Sequence, residues 1–406
     1  MLQDLELEGM LTIGLIKETK NPPDNRVAFT PTQCKWINQN LSIKIVVEKS
    51  ESRCFKDEEF RKKGIEVVED LSACEILIGI KEVAAETLIP NKTYLFFSHT
   101  KKLQPSNQQL FKTLIAKNIT LIDYECLVHD DGQRMIGFGF FAGIVGAHNG
   151  LMSYGERTQT FSLERVYKIK DYRQLINTYF GVKIPPIKIA VTGSGRVTHG
   201  IIEIMNLMDI QEVEPEEFIE QDFTYPVYVH LKGKNLYEHK TSRNYKRLDF
   251  HENPNHYNCL FKKYLPFTDV LLNGVYWDVQ VPRLFELEDL KNSDFRITTI
   301  ADITDDKNGS VPCNLGDQTI ENPVYGVDKN SFKKTEPYLP NSIDIIAVGN
   351  LPNELPRDAS RFFGEQMIKH ILPDLIKGQS KILNNATILE EGKITKPFEY
   401  MKGFTE

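Results

Sequence analysis

Cysteine is sparse and unpaired in this sequence. The six cysteines (Cys34, Cys54, Cys74, Cys126, Cys259 and Cys313) are scattered through 406 residues with no CxxC pair. That spacing provides neither a disulfide framework nor a zinc site, and it implies reduced thiols in a cytoplasmic protein. Basic blocks are also missing. Nothing exceeds short runs such as Arg61-Lys62-Lys63, and the formal net charge is -7, so neither nucleic acid nor an anionic membrane is expected as the main partner. No uninterrupted apolar stretch is as long as a membrane span. The N-terminal MLQDLELEGMLTIGL is acidic where a signal peptide needs positive charge. Repeats and low-complexity tracts are absent. What remains is an ordinary composition, 41% hydrophobic and 26% charged, in a chain long enough for two domains with separate cores.

The most informative stretch is residues 187–205, IKIAVTGSGRVTHGIIEIM. An apolar β-type run meets Gly193-Ser194-Gly195, and a helical pattern follows with Ile201, Ile202, Ile204 and Met205. Strand, glycine turn and helix start together form a cradle for a pyrophosphate: the glycines let the backbone approach, and the first helical N–H groups point at the anion. The GxGxxG match is imperfect, because Thr198 occupies the third glycine position and Gly200 comes two residues late. An ordinary β–α turn is the alternative reading.

Before this stretch, strands at residues 11–17, 43–47, 75–80, 93–97 and 119–122 alternate with helices at 57–63 and 104–117. A further helix is opened by Thr30 as N-cap and Pro31 in its first turn. Such alternation implies a parallel sheet with helices on its faces and ligands outside the carboxyl ends of the strands. The polar residues at those ends are Lys20 and Arg26, Lys81-Glu82, Ser98-His99-Thr100 and Asp123-Tyr124-Glu125. Each alone is compatible with a solvated loop or a structural role; together they mark a candidate site. Residues 135–157 are rich in small and aromatic side chains. From Phe141 onward they read as a long helix, whose glycines serve either packing between two domains or a core within one.

Past the glycine loop, residues 211–215 read as a second nucleotide-domain strand. Glu214 is the candidate for binding ribose hydroxyls, among Glu212, Glu216 and Glu217. Residues 218–264 read as an insertion. Strands at 269–272, 296–303 and 343–348 end in Asn273-Gly274-Val275-Tyr276-Trp277, in Asp302, Asp305 and Asp306, and in Gly349-Asn350-Leu351-Pro352. These ends are placed to hold nicotinamide and ribose, although Asp305 and Asp306 also suit a plain turn. Residues 356–376 form a helix interrupted at Pro373 and are expected to return to the first domain.

The segments ETKNPPDNRVAFTP, IGIKEV, TYLFFSHTKK, LIDYE, FGFFAGIVGA, VTGSGRV, LLNGVYW, IADITDDKNGSVP and NLPNELPRDAS follow one another along essentially the whole chain. In that order they resemble the saccharopine dehydrogenases, and more closely the lysine–2-oxoglutarate reductase half of aminoadipic semialdehyde synthases, both relatives of alanine dehydrogenase. The resemblance implies an α/β fold of two Rossmann-like domains with parallel sheets around a central cleft. Residues 1–139 plus 353–406 would form the substrate domain and 140–352 the NAD(P)-binding domain. It implies that saccharopine, NAD(P)+ and water interconvert with lysine, 2-oxoglutarate and NAD(P)H, small molecules being the partners, with no metal. Lys81 and His99 fall on the family's acid/base positions, and Lys20, Arg26, Glu82, Glu125 and Arg134 on positions that hold substrate carboxylates or tune that pair. Gly193, Ser194, Gly195, Arg196 and Val197 lie on the pyrophosphate loop. Lys81 and His99, if close, would each disfavour the other's charge and move both toward neutrality.

Two departures stand out. Gly349 takes the place of the acidic residue that family members carry before NLP, and EVEPEEF replaces the clear Asp of saccharopine dehydrogenases. The choice between NAD and NADP, the direction of the reaction and the oligomeric state therefore stay open. So do two other functions: an alanine-type amino-acid dehydrogenase, and a nucleotide-binding protein without catalysis.

Overall fold

The computed structural model describes residues 10–405 apart from Asp317 and Gln379. Most of the acidic N-terminal stretch noted above, residues 1–9, lies outside the described residues. The chain forms two compact units: one runs to Phe138 and resumes at Pro356, and the other is Gly139–Leu355. Each has an eight-stranded, mostly parallel sheet.

In the first unit, Leu11–Leu15, Ile43–Glu48, Glu66–Val68, Ile76–Ile78, Thr93–Phe96 and Thr120–Asp123 pair in parallel. Their cores are short runs of Ile, Leu, Val and Phe, as expected for strands covered on both faces. The helix Pro31–Asn40 starts as its sequence predicts. The Thr30 hydroxyl accepts from Gln33 N at 3.3 Å, and Gln33 Oε1 accepts from Thr30 N at 2.9 Å, satisfying two N–H groups reciprocally. The helix expected over 104–117 is shorter, Gln108–Ala116, because Leu103 takes a left-handed φ of 53° and Pro105–Asn107 forms a 3-10 turn.

The tail packs in this unit as two helices, Pro356–His370 and Leu372–Lys377. Pro373 lies in the first turn of the second, where its missing N–H costs no hydrogen bond. A Cβ on Gly364 would lie 2.4 Å from Gln33 Oε1, so the glycine allows close approach to Pro31–Asn40. The chain then adds two strands that the sequence reading missed: Thr387–Glu390, antiparallel to Thr120–Asp123, and Lys393–Ile394 at the edge.

In the second unit the sheet order is Lys334–Thr335, Val324–Asp328, Ser342–Ile346, Thr299–Asp302, Val270–Asn273, Lys188–Thr192, Val227–Leu231, Gln211–Glu212. This corrects the insertion expected at 218–264. Val227–Leu231 lies inside that range and pairs directly with the glycine-loop strand, whereas Gln211–Glu212 is displaced to the edge. The alternating VYVHL was obscured by its polar flanks. The true addition is a small hairpin, Tyr237–His239 with Tyr257–Cys259, and the helix Arg247–Glu252. It is closed by aromatic contacts, Tyr237–Phe250 at 4.4 Å and Phe250–Tyr257 at 5.1 Å between centroids.

The helix Gly139–Thr158 is a core element of this unit. A Cβ on Gly143 would lie 1.9 Å from Val197 O, and one on Gly200 would lie 2.0 Å from Phe140 O. These glycines bring the helix into backbone contact with Arg196–Leu207, while Gly146 and Gly150 make room for Ile303 and Leu272. Backbone oxygens cannot rotate aside. Gly143→Ala or Gly200→Ala is therefore expected to destabilise the unit by about 3 kcal/mol, read as a lowered thermal midpoint. Gly403→Ala, whose methyl meets nothing within 4 Å, should leave the midpoint unchanged. Among the described residues, no helix is long and apolar enough to cross a membrane.

Candidate active site

Four parallel strands of the first unit end on one rim. After Ile76–Ile78 the chain passes Gly79 and Ile80 to Lys81, and its backbone there is clamped by Glu18. Glu18 Oε1 accepts from Ile80 N at 2.6 Å, and Oε2 accepts from Lys81 N at 2.9 Å. Burial pushes the Glu18 carboxyl up to about 8. Lys81 is lowered to about 8, first by burial and then by the Arg26 charge, with Asp24 opposing. This corrects the expected cause, in which His99 was to depress Lys81.

Glu82 joins the other two groups. Its Oε2 is 2.9 Å from Lys20 Nζ, and its Oε1 is 2.5 Å from His99 Nδ1. Burial alone would raise Glu82, but the His99 and Lys20 pairs outweigh it and hold the carboxyl at about 2. A carboxylate only accepts, so His99 Nδ1 carries the hydrogen and Nε2 is the ring nitrogen left to exchange a proton. His99 has φ 53°, a left-handed conformation uncommon for a residue with a side chain. Its ring stacks on Phe97 with centroids 6.4 Å apart.

Of the two roles expected for Arg26, tuning the pair fits its position better than holding a substrate carboxylate. Arg26 is 3% exposed, and its Nε donates to Asp24 Oδ1 at 2.9 Å and its Nη2 to Oδ2 at 2.5 Å. Its guanidinium lies 4.1 Å from the Phe138 ring centroid. The Arg26 charge overcomes burial and keeps the Asp24 carboxyl below its ordinary value. Arg134 Nη2 donates to Glu125 Oε1 at 2.6 Å, and Glu125 Oε2 is buried with no hydrogen-bond partner. Sequence reasoning missed Glu18 and Asp24. For Asp24 the signal was available: it lies two residues before Arg26 in the same loop, and a buried cation needs a counter-charge.

In the second unit the glycine loop leaves room for an anion at the start of a helix. Gly193 has φ 105°, and a Cβ on it would lie 2.6 Å from both Gly274 O and Thr198 Oγ1. Gly195 is the N-cap of Arg196–Leu207, makes no side-chain capping bond, and would have no atom within 4 Å of a Cβ. Ser194 is exposed, and Arg196 and Val197 form the helix's first turn. The loop therefore fits a pyrophosphate. Thr198 ties it from below, its hydroxyl donating to Thr192 O at 3.3 Å. The close packing usually supplied by the third glycine is made by Gly200.

Other nucleotide-site expectations need correction. Glu214 caps the short helix Pro215–Glu220 beyond the edge strand, two strands from the glycine loop. The strand next to the loop strand ends instead at Leu231, with Lys232 following, and its His230 Nε2 lies 2.8 Å from Gly193 O. Asn273 and Asp302 are fully buried and bonded to one another. Asn273 Oδ1 accepts from Thr192 Oγ1 at 2.6 Å, and its Nδ2 donates to Asp302 Oδ1 and to Ser310 Oγ, both at 2.8 Å. Asn314 Nδ2 donates to Asp302 Oδ2 at 2.8 Å, and burial pushes Asp302 up to about 6. This network supports the strand ends from beneath. Gly274 lies against Thr198, Tyr276 is exposed, Trp277 Nε1 donates to Val281 O at 3.0 Å, Asn350 caps the turn Leu351–Glu354, and Leu351 is buried.

Residues 14–145 match the family model of the alanine dehydrogenase/PNT N-terminal domain. Alpha-aminoadipic semialdehyde synthase of Arabidopsis thaliana is 28% identical over 97% of this chain and 41% of its own length. The chain thus spans less than half of that relative. Saccharopine dehydrogenase [NAD(+), L-lysine-forming] of Emericella nidulans is 25% identical over 95% of this chain and 98% of its own. The solved structure of an L-alanine dehydrogenase aligns with a TM-score of 0.64, at 15% identity over 98% of this chain and all of that one, which shows the shared fold. Both kinds of relative align along nearly the full chain, so the chain is similar to the saccharopine dehydrogenases and aminoadipic semialdehyde synthases and shares the alanine dehydrogenase fold.

Proposed function

We propose that the protein is an NAD(P)-dependent oxidoreductase acting on a CH–NH bond, interconverting saccharopine and water with lysine and 2-oxoglutarate. The observation that carries this reading is a lysine lowered to about 8 beside a glutamate that holds both His99 and Lys20. A secondary amine must lose its proton before hydride leaves, and Lys81 is poised to take that proton near neutral pH. Water attack on the resulting substrate imine and departure of the lysine amine need a second proton carrier, the role of His99 Nε2. Glu82 fixes the imidazole tautomer. Lys20 and Arg134 are the cations proposed for substrate carboxylates, while Arg26, held by Asp24, shapes the field around Lys81.

The first unit is the proposed substrate domain and the second the dinucleotide domain, with Gly193, Gly195 and the first turn from Arg196 holding the pyrophosphate. A bound nicotinamide would accept or return the hydride. An exposed Lys232, instead of an acid, follows the strand beside the loop strand, which favours NADP over NAD. The six free cysteines suit a reducing compartment, and we retain the cytoplasm as the proposed one.

One observation favours an alanine-type dehydrogenase instead: with Arg26 committed to Asp24, fewer cations remain for three substrate carboxylates. The two readings separate in one assay. NADPH and NADH oxidation would be followed with lysine plus 2-oxoglutarate and, separately, with ammonia plus pyruvate. Turnover with the first pair alone is expected; turnover with only the second would transfer the assignment.

A further inference from the structure

Asp305 and Gly349 follow neighbouring parallel strands, Thr299–Asp302 and Ser342–Ile346. Both strands lie on the side of the glycine-loop strand away from Val227–Leu231, where a doubly wound sheet receives the second half of a dinucleotide. A Cβ on Gly349 would lie 2.9 Å from Asp305 Oδ2. The carboxylate of one strand end therefore occupies the space that a side chain on the other would need. Asp305 has φ 55°, a left-handed conformation that Asp tolerates better than most residues. The place that a side chain at 349 would take is filled by the Asp305 carboxyl instead.

Resting on the dinucleotide reading above, we propose that Asp305 supplies the carboxylate that binds the nicotinamide half of NAD(P)H, accepting from a ribose hydroxyl or the carboxamide, and that Gly349 is required to admit it. Restoring an acid at 349 alone is then harmful, because the new Cβ displaces Asp305.

The test is binding, not turnover. NADPH and NADH are titrated by fluorescence into the full chain and its variants, and 2′,5′-ADP and ADP, which lack the nicotinamide half, are titrated by displacement. Asp305→Ala and Asp305→Asn (the latter keeping tolerance of the left-handed backbone) should weaken the dinucleotide about ten- to a hundredfold, the range for a lost charge-assisted hydrogen bond. Affinity for the adenosine fragments should stay within about twofold of wild type. Gly349→Asp alone should also weaken the dinucleotide, yet Asp305→Ala/Gly349→Asp should bind it more tightly than Asp305→Ala. Unchanged dinucleotide affinity in both Asp305 variants, equal weakening of the fragments, or no recovery in the double variant would overturn the proposal. A wild-type chain that binds neither nucleotide would instead defeat the dinucleotide reading, and this proposal with it.

Discussion

Lys81→Met should reduce saccharopine oxidation by about 10²–10⁴-fold, the usual contribution of a positioned general base. Met keeps most of the apolar stem, so the loss is chemical. The Glu18 clamp acts on the backbone N–H of residue 81, which the substitution retains, and the thermal midpoint should not fall. The pH profile gives the sharper readout. With a pKa of about 8, roughly a tenth of Lys81 is free amine at pH 7, against less than a thousandth for an ordinary lysine. Burial and the Arg26 charge both favour the uncharged form, so the base becomes available as pH rises. In wild type, kcat/KM for saccharopine oxidation should therefore climb up to about pH 8 and then level. In the reductive direction, where the protonated form is needed, it should fall above that pH. Lys81→Met should remove both limbs. A variant that keeps the limb near 8 would assign it to another group.

Much of the fold was legible because buried parallel strands advertise themselves. EILIGI, TYLFF and IKIAV are too apolar for an exposed location, and Thr30-Pro31 with Gln33 announces a helix start. Other elements were not legible, and one legible strand was misplaced, each for a physical reason. Val227–Leu231 alternates and has polar flanks, so nothing local distinguishes a central strand from a loop. Gln211–Glu212 was read as a strand, but its edge position is decided by pairing, which two residues do not reveal. Thr387–Glu390 is antiparallel, and its place follows from where the tail helices deliver it.

The candidate site was legible as a set of residue types at strand ends, but their pairing was not. Lys20, Glu82 and His99 do come together. Arg26 was read as holding substrate carboxylates or tuning the Lys81 and His99 pair, and a sequence does not reveal that Asp24, two residues before it, folds back as a bidentate partner. Asn273 and Asp302 were read as ligand groups because both end strands, yet they satisfy one another in a buried network. Glu214 was chosen by its distance from the glycine loop, a rule that holds only when the second strand lies beside the first. Here the third takes that place.

Glu82→Gln should cost about 10²-fold in kcat/KM, because it removes one charge from the centre of a three-residue system while keeping its shape. In the wild type both Glu82 oxygens accept, one from His99 and one from Lys20. An amide has one accepting oxygen and an NH2 that donates, so the substituted side chain can accept from only one of the two and turns a donor toward the other. If the oxygen goes to Lys20, the His99 tautomer inverts and Nε2 carries the hydrogen, the wrong form for a base. If it goes to His99, Lys20 loses its partner and its position for a substrate carboxylate. The first outcome lowers kcat with KM little changed, and the second raises KM. Glu82→Asp shortens the reach but preserves acceptor chemistry on both oxygens, and it should retain more activity than Glu82→Gln even though Gln is the closer match in size. Equal activity of the Gln variant and wild type would show that Glu82 is only a surface acid, and the His99 role would fall with it.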